Sequence, residues 1–320
     1  MAVHLLAILE AMKVRLNTES RLATILDPNF ATCALCKTTG TANTRNKTIA
    51  VTSNVRAFKH ESFTVWRCGG CGSLHSLEAV DLDYYYSRYP LKHQNLDLPT
   101  RLAYKRRLAP MLKAKVPKDA RILDYGCGQG LFVEFLGLNG FTNVKGYDPY
   151  SKAYNHPKIL DGQFDVIVAQ DVIEHVEDPA KFLEQLRNLL SPQGLAFIGT
   201  PRAEGIDLDD PQRFSLELHQ PYHRHILSEA SLRELAREKG FHVRALEREF
   251  YFNLPIPGLN MRFMWEYVRR KQGLMDALFE PIDWKMVWRS PKLVGLAFFG
   301  YLAPYRSNML ATLEKSESVG

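Results

Sequence analysis

Asp124-Tyr125-Gly126-Cys127-Gly128-Gln129-Gly130 joins an acid to three glycines on alternate positions. It sits between the apolar pair Ile122-Leu123 and the apolar helix former Leu131 to Leu136. A turn without side chains lets a ligand lie against bare backbone. The amides that open the next helix then point at that ligand, and the acid accepts hydrogen bonds from its donors. About twenty residues on, Asn143 to Asp148 reads as a second short strand ending in an acid, where nucleotide-binding folds hold the hydroxyls of a ribose. A dinucleotide fingerprint needs glycine at the sixth position of G-x-G-x-x-G. Here that position is Leu131, which argues against a nicotinamide cofactor.

Four cysteines form a second pattern. Cys33-Ala34-Leu35-Cys36 and Cys68-Gly69-Gly70-Cys71 are two C-x-x-C knuckles separated by 31 residues. Each knuckle presents two thiolates to one metal, and the pair completes a tetrahedral site with no open position, hence a structural zinc. Two disulfides are the alternative. Without an evident signal peptide, an intracellular chain keeps such thiols reduced. Thr48 to Val55 and Phe63 to Arg67 read as the short strands of a zinc ribbon, and Cys127 stands apart from the set.

His219, His223 and His225 fall within seven residues, just before a helix expected to start at Ser228. Imidazole titrates near neutrality, so one of them, His223 first, is the candidate general base. A purely structural role is the alternative for each.

The elements that would position these groups follow a regular order. Phe164 to Asp171 is a near-continuous apolar run, as a parallel strand buried on both faces requires. A helix is expected from Asp178 to Leu190, with Asp178-Pro179 as cap and first position. A strand follows at Gly194 to Thr200, a helix from Ser228 to Lys239 ending at Gly240, and another strand at Phe241 to Glu247. Strand, helix, strand at these lengths is the βαβ alternation of a doubly wound α/β fold.

With those elements in place, residues 119 to 249 resemble the class I S-adenosylmethionine (SAM) dependent methyltransferases. The likeness rests on the glycine turn and on the phrases Phe164 to Pro179, Gly194 to Pro201 and His223 to Phe241. It implies a Rossmann-like seven-stranded sheet. It also places Asp124, Gly126, Gly128 and Gly130 around the methionine part of SAM, Asp148 on the ribose and Gln170 beside the methyl group. One departure is plain: the stretch between Asp148 and Phe164 is short, and the acidic loop that contacts adenine in the family is not visible. Asp171-x-x-Glu174-His175 resembles the E-x-x-E-H segment through which some quinone and small-RNA methyltransferases bind a divalent ion, completed by a downstream histidine. In related zinc-ribbon methyltransferases a linker tyrosine reaches the carboxylate end of SAM, which makes Tyr89 and Arg88 candidates within Tyr84 to Pro90.

The chain of 320 residues is long enough for one large core and a smaller metal-stapled unit. The expected division is an N-terminal helix over 1–30, a zinc ribbon over 31–80, linker helices over 81–118 and a SAM-binding domain over 119–320. An insertion at 251–305 is expected to be helical and rich in Trp, Phe, Met and Arg, lying between the two strands of a closing hairpin. Trp265, Tyr267, Arg269, Arg270, Trp284, Trp288, Phe298, Phe299 and Tyr301 mark it. It reads as a lid over the substrate, with contact to a membrane surface as the alternative. The first helix would pack on the body or on a second subunit.

The net charge of +6 is spread along the chain, without the basic run of a nucleic-acid tail. No apolar run approaches a membrane span, so a cytoplasmic setting is expected. The function so indicated is transfer of a methyl group from SAM to oxygen or carbon of a small molecule such as a sugar, lipid or secondary metabolite. An RNA methyltransferase and a non-catalytic module on the same fold are the competing classes. The aromatic tetrad of base-methylating enzymes is absent after Gln170, and the intact glycine turn argues against loss of catalysis.

Overall fold

The computed structural model describes residues 32–38, 47–89, 95–249 and 251–316, and the helix expected over 1–30 lies outside them. Three short strands open the described chain: β1 (Thr48–Thr52), β2 (Ser62–Arg67) and β3 (Leu74–Ser76). The central sheet begins with four parallel strands, β4 (Ile122–Tyr125), β5 (Val144–Tyr147), β6 (Phe164–Gln170) and β7 (Leu190–Pro201). The two-residue strand β8 (His225–Ile226) comes next. The antiparallel pair β9 (Phe241–Glu249) and β10 (Asn308–Lys315) closes the central sheet in the order β5-β4-β6-β7-β10-β9. This is the doubly wound, parallel-rich architecture expected. Six strands stand where seven were expected. The segment that would supply an outer strand beyond β5 holds only a 3-10 turn, Pro157–Asp161, before β6 begins. Some fifteen residues between Asp148 and Phe164 cannot hold a crossover helix and a strand as well.

The apolar runs read from the sequence fill both faces of this sheet. Leu123, Ile167, Ala169, Ala196 and Ile198 face helices Pro179–Leu189 and Glu229–Glu238, and Ile122, Val166, Val168 and Phe197 face helices Leu98–Lys113 and Leu131–Leu138. Asp178 caps its helix by accepting from the amides of Ala180 and Lys181, and Ser228 caps the next by accepting from Ser231.

The ribbon strands do not form a closed unit. Their sheet runs β1-β2-β3-β8, so its fourth strand comes from the core loop after β7. His75 lies opposite His225 and Leu74 opposite Ile226. Arg67 extends the seam by donating to the carbonyls of Ala203 and Ile206. Between β9 and β10 the helices Met261–Arg270, Trp284–Trp288 and Pro291–Phe299 pack around Phe263, Tyr267, Val268, Val287 and Leu293.

Candidate active site

The C-terminal ends of β4, β5 and β6 carry the polar groups that the sequence singled out. Gly126 takes φ 79°, and a Cβ there would lie 2.4 Å from Val172 Cγ2. Gly130 takes φ 78° as the N-cap of helix Leu131–Leu138, and a Cβ there would lie 2.0 Å from Tyr154 Oη. Both positions need glycine for conformation and for space. Asp148 fastens the turn from the end of β5: Oδ2 accepts from the Gly128 amide at 2.9 Å, and Oδ1 accepts from the Tyr150 amide at 2.8 Å. Each carboxylate oxygen keeps a further lone pair for a ligand hydroxyl.

Asp124 is 2% exposed, and its Oδ2 is buried without a hydrogen-bond partner. Burial pushes its pKa up to about 6, the Arg107 cation pulls against that rise, and Asp148 adds to it. A buried, unmatched carboxylate oxygen beside a bare glycine turn suits a ligand that brings an ammonium or hydroxyl donor. Arg107 is a residue the sequence reading missed. It projects from helix Leu98–Lys113, its guanidinium 5.1 Å from the ring centre of Tyr104 and 5.0 Å from that of Phe132. Its charge acts on both Asp124 and Asp171. Nothing local in the helix distinguishes it from Arg101 or Arg106; only the fold brings it to the turn.

Gln170 ends β6 with its amide packed against Gly199 and donates to Asp171 Oδ1 at 3.0 Å. Asp171 also accepts from Tyr251 Oη at 2.9 Å and takes φ 56°. It was expected to share a divalent-ion site with Glu174, His175 and a downstream histidine; His223 is that histidine, but Asp171 is left out. Glu174, His175 and His223 bring ligand atoms within 4.8 Å of one another, and Asp171 is outside the group. The left-handed backbone at Asp171 turns its carboxylate toward Gln170 and Tyr251 instead.

Two of the three candidate histidines meet here. His223 Nδ1 lies 2.6 Å from the carbonyl oxygen of Glu217, which can only accept, so Nδ1 carries the proton and Nε2 is the bare nitrogen. Burial pushes His223 down to about 4, so the ring is neutral near pH 7. His219 spends both nitrogens: Nδ1 donates to Asn54 Oδ1 at 2.7 Å, and Nε2 accepts from Tyr89 Oη at 2.8 Å. Burial holds the Tyr89 phenol far above its ordinary range, so it stays a donor. His225 is elsewhere, in β8, with Nδ1 2.9 Å from His75 Nδ1 and Nε2 3.0 Å from the Glu177 carbonyl oxygen. It serves the ribbon seam, because strand pairing with β3 turns it away from His223. Tyr89, a candidate for the SAM carboxylate, joins the histidine cluster, and Arg88, the other candidate, lies over the Tyr84 ring, 5.6 Å from its centre. Tyr86 donates to or accepts from His175 Nδ1 at 3.0 Å and stacks on Tyr150, ring centres 4.0 Å apart.

The four knuckle cysteines converge as well. All are free thiols, with Cys33 Sγ 3.7 Å from Cys71 Sγ and Cys36 Sγ 3.6 Å from Cys68 Sγ. A tetrahedral ion with sulfur ligands at about 2.3 Å places its sulfurs roughly 3.8 Å apart. The set therefore fits such an ion. Cys127 lies in the glycine turn, its thiol pushed upward by burial.

Residues 94–246 match the family described as "Methyltransferase domain". The ubiquinone biosynthesis O-methyltransferase of Caulobacter sp. (strain K31) is 35% identical over 102 residues, covering 25% of this chain and 40% of that protein. Its counterpart in Rickettsia bellii (strain OSU 85-389) is 27% identical over 169 residues, covering 46% and 61%. The mitochondrial ubiquinone biosynthesis O-methyltransferase of Arabidopsis thaliana is 30% identical over 155 residues, covering 40% and 48%. The chain thus spans about half the length of the curated relatives it matches. Among solved structures, a SAM-dependent methyltransferase from Archaeoglobus fulgidus shares 16% identity over 67% of this chain and 94% of that one, with a TM-score of 0.39. The glycine turn, the paired acids and the parallel sheet already described all lie within residues 94–246, the part of this chain that matches a methyltransferase domain.

Proposed function

We propose that the protein transfers the methyl group of SAM to an oxygen of a hydroxyl-bearing small molecule. The observation that carries this is the placement of Asp124, Asp148 and the open glycine turn at the same C-terminal end of the parallel strands as the neutral histidine cluster. When bound, SAM supplies a sulfonium leaving group, so the protein need only orient the acceptor and remove its proton. Asp124 would accept from the amino group of the methionine part, Arg107 would pair with its carboxylate, and Asp148 would take the ribose hydroxyls. Tyr150 and Tyr154, beside Asp148 and Gly130, would supply aromatic walls for adenine in place of the acidic loop the family uses. His223, with Nδ1 fixed by Glu217, would present bare Nε2 to the acceptor hydroxyl. The Tyr89–His219 pair would shape the same wall.

Glu174, His175 and His223 fit a divalent ion, since Glu174 Oε1 is buried without a partner while Oε2 accepts from Thr200 Oγ1 at 2.9 Å. Such an ion would occupy His223 Nε2, since Nδ1 is held by Glu217, and would lower the pKa of a coordinated hydroxyl in place of His223 acting as base. Cys33, Cys36, Cys68 and Cys71 would hold a structural Zn2+, closed to substrate by its four thiolates. The named activity of the curated relatives favours an oxygen over a carbon acceptor.

A labelled-methyl assay on cell extract split into lipid, polar and RNA fractions tests the proposal. Label in the lipid or polar fraction is the expected result. Label confined to RNA, or no SAM binding by calorimetry, overturns it.

A further inference from the structure

The apolar side chains of segment 251–305 fall into two sets. Phe263, Tyr267, Val287 and Leu293 are buried and hold the three helices together. Trp284, Trp288, Phe298, Phe299 and Leu302 point outward, with Trp288 62%, Phe299 65% and Leu302 68% exposed. Together with Ile256 they make up six of the eleven exposed large hydrophobic residues among those described. They also touch in sequence: Trp284 and Trp288 have ring centres 6.5 Å apart, and Trp288 and Phe298 6.2 Å apart. Packing within the segment accounts for the first set and leaves the second unexplained.

Charge separates the possible occupants. All four carboxylates of the segment are engaged. Glu266 pairs with Arg269, Arg270 and Lys292; Asp276 accepts from the Arg56 amide; Glu280 pairs with Arg56; and Asp283 pairs with Lys271. Lys285 and Arg289 are exposed and have no carboxylate within salt-bridge distance among the described residues. On helix Trp284–Trp288 the indoles at 284 and 288 form one row, and the cations at 285 and 289 form the row about 100° round the axis. A row of indoles flanked by unmatched cations suits a surface that offers apolar depth beneath negative headgroups. The same face of a second copy would offer Lys285 and Arg289 no free carboxylate, since all four of the segment are already engaged.

We propose that this face docks on an anionic lipid bilayer, with Trp284, Trp288, Phe298 and Phe299 at the headgroup boundary and Lys285 and Arg289 at the phosphates. No helix among the described residues is long and apolar enough to cross a membrane, so the contact is made from one side. The docking does not depend on the methyl-transfer reading.

Flotation of the full chain with vesicles of phosphatidylcholine, with and without phosphatidylglycerol, tests it, with indole emission read in parallel. Binding to the anionic vesicles with a blue shift is expected. Trp288→Ala with Phe299→Ser should lower that binding at least tenfold. Lys285→Glu with Arg289→Glu should lower it by about fivefold or more per cation while leaving the zinc content and circular dichroism unchanged. Absence of binding to either vesicle overturns the proposal, as does binding that both variants retain. So does a wild-type dimer in sedimentation that Trp288→Ala with Phe299→Ser converts to monomer, because the face would then join two copies.

Discussion

His175 and His223 meet edge to face, ring centres 4.7 Å apart, though 48 residues separate them in the chain. The loop after β6 supplies one ring and the loop before β8 the other. Their meeting depends on backbone bonds that run from the ribbon into the core. The Ser76 amide donates to the Arg224 carbonyl, and the Arg224 amide donates to the Glu174 carbonyl at 2.7 Å.

The cysteine site should therefore govern a reaction it does not touch. With zinc held by the four thiolates as proposed, Cys68→Ser is expected to lose it, to speed hydrogen exchange at the amides of 224–226, and to lower kcat by tenfold or more. Zinc analysis, exchange mass spectrometry and the methyl-transfer assay check the three effects. Unchanged exchange at 224–226 after zinc loss would show that the ribbon does not hold the histidine loop.

Asp124 should trade stability for ligand. Its folded pKa of about 6 lies above an unfolded value near 3.9, so the folded state binds a proton more readily. Its contribution to stability is thus greatest below about pH 4 and is lost as pH rises through 6. Asp124→Asn removes that penalty and should stabilise the apoprotein at pH 8 by about 1–3 kcal/mol, read as a rise in Tm. The same change should abolish SAM binding in calorimetry. In the native chain, SAM affinity should fall as pH drops below 6, where Asp124 takes up a proton.

Arg107 is expected to act on the same end of the cofactor. Arg107→Ala should weaken SAM binding by roughly ten- to hundredfold, the cost of a lost charge-assisted pair. It should also shift the pH midpoint of binding upward, because the cation that restrains Asp124 is gone. Binding isotherms across pH 5 to 8 measure both, and a variant with normal affinity would remove Arg107 from the site.

Glu174→Gln should separate the two ligands. Mn2+ binding followed by paramagnetic resonance is expected to be lost, whereas SAM affinity should stay within about twofold of the native value. A native protein that takes up no Mn2+ would leave the Glu174 carboxyl as an anchor for Thr200 and remove it as an ion ligand.

The parts of this site written in consecutive residues were legible before any fold was known. The glycine turn, the acid ending β5, the two cysteine knuckles and the caps at Asp178 and Ser228 each depend on local backbone geometry, which leaves a local trace. Arg107 left none, because its helix carries basic residues at many positions and only tertiary packing selects one. The two-residue strand β8 was invisible for a similar reason: so short a strand exists only because β3 lies beside it. That pairing explains why His225, indistinguishable in sequence from His223, serves the ribbon. Glu217 was likewise unreadable. Its carboxyl, pushed up to about 7 by burial, accepts from Trp265 Nε1 and Tyr305 Oη and so ties the insertion to the histidine loop.

The sheet β1-β2-β3-β8 also sets an order for making the protein. The first three strands leave the ribosome well before His225 and Ile226 are synthesised, since about 150 residues lie between β3 and β8. Until then β3 presents an open edge, the kind of surface on which chains aggregate. The cysteine cluster lies wholly within the early segment and can be closed by a metal while the core is still being made. Metal supply during translation would thus decide whether the ribbon waits as a folded platform for β8 or as an exposed hairpin.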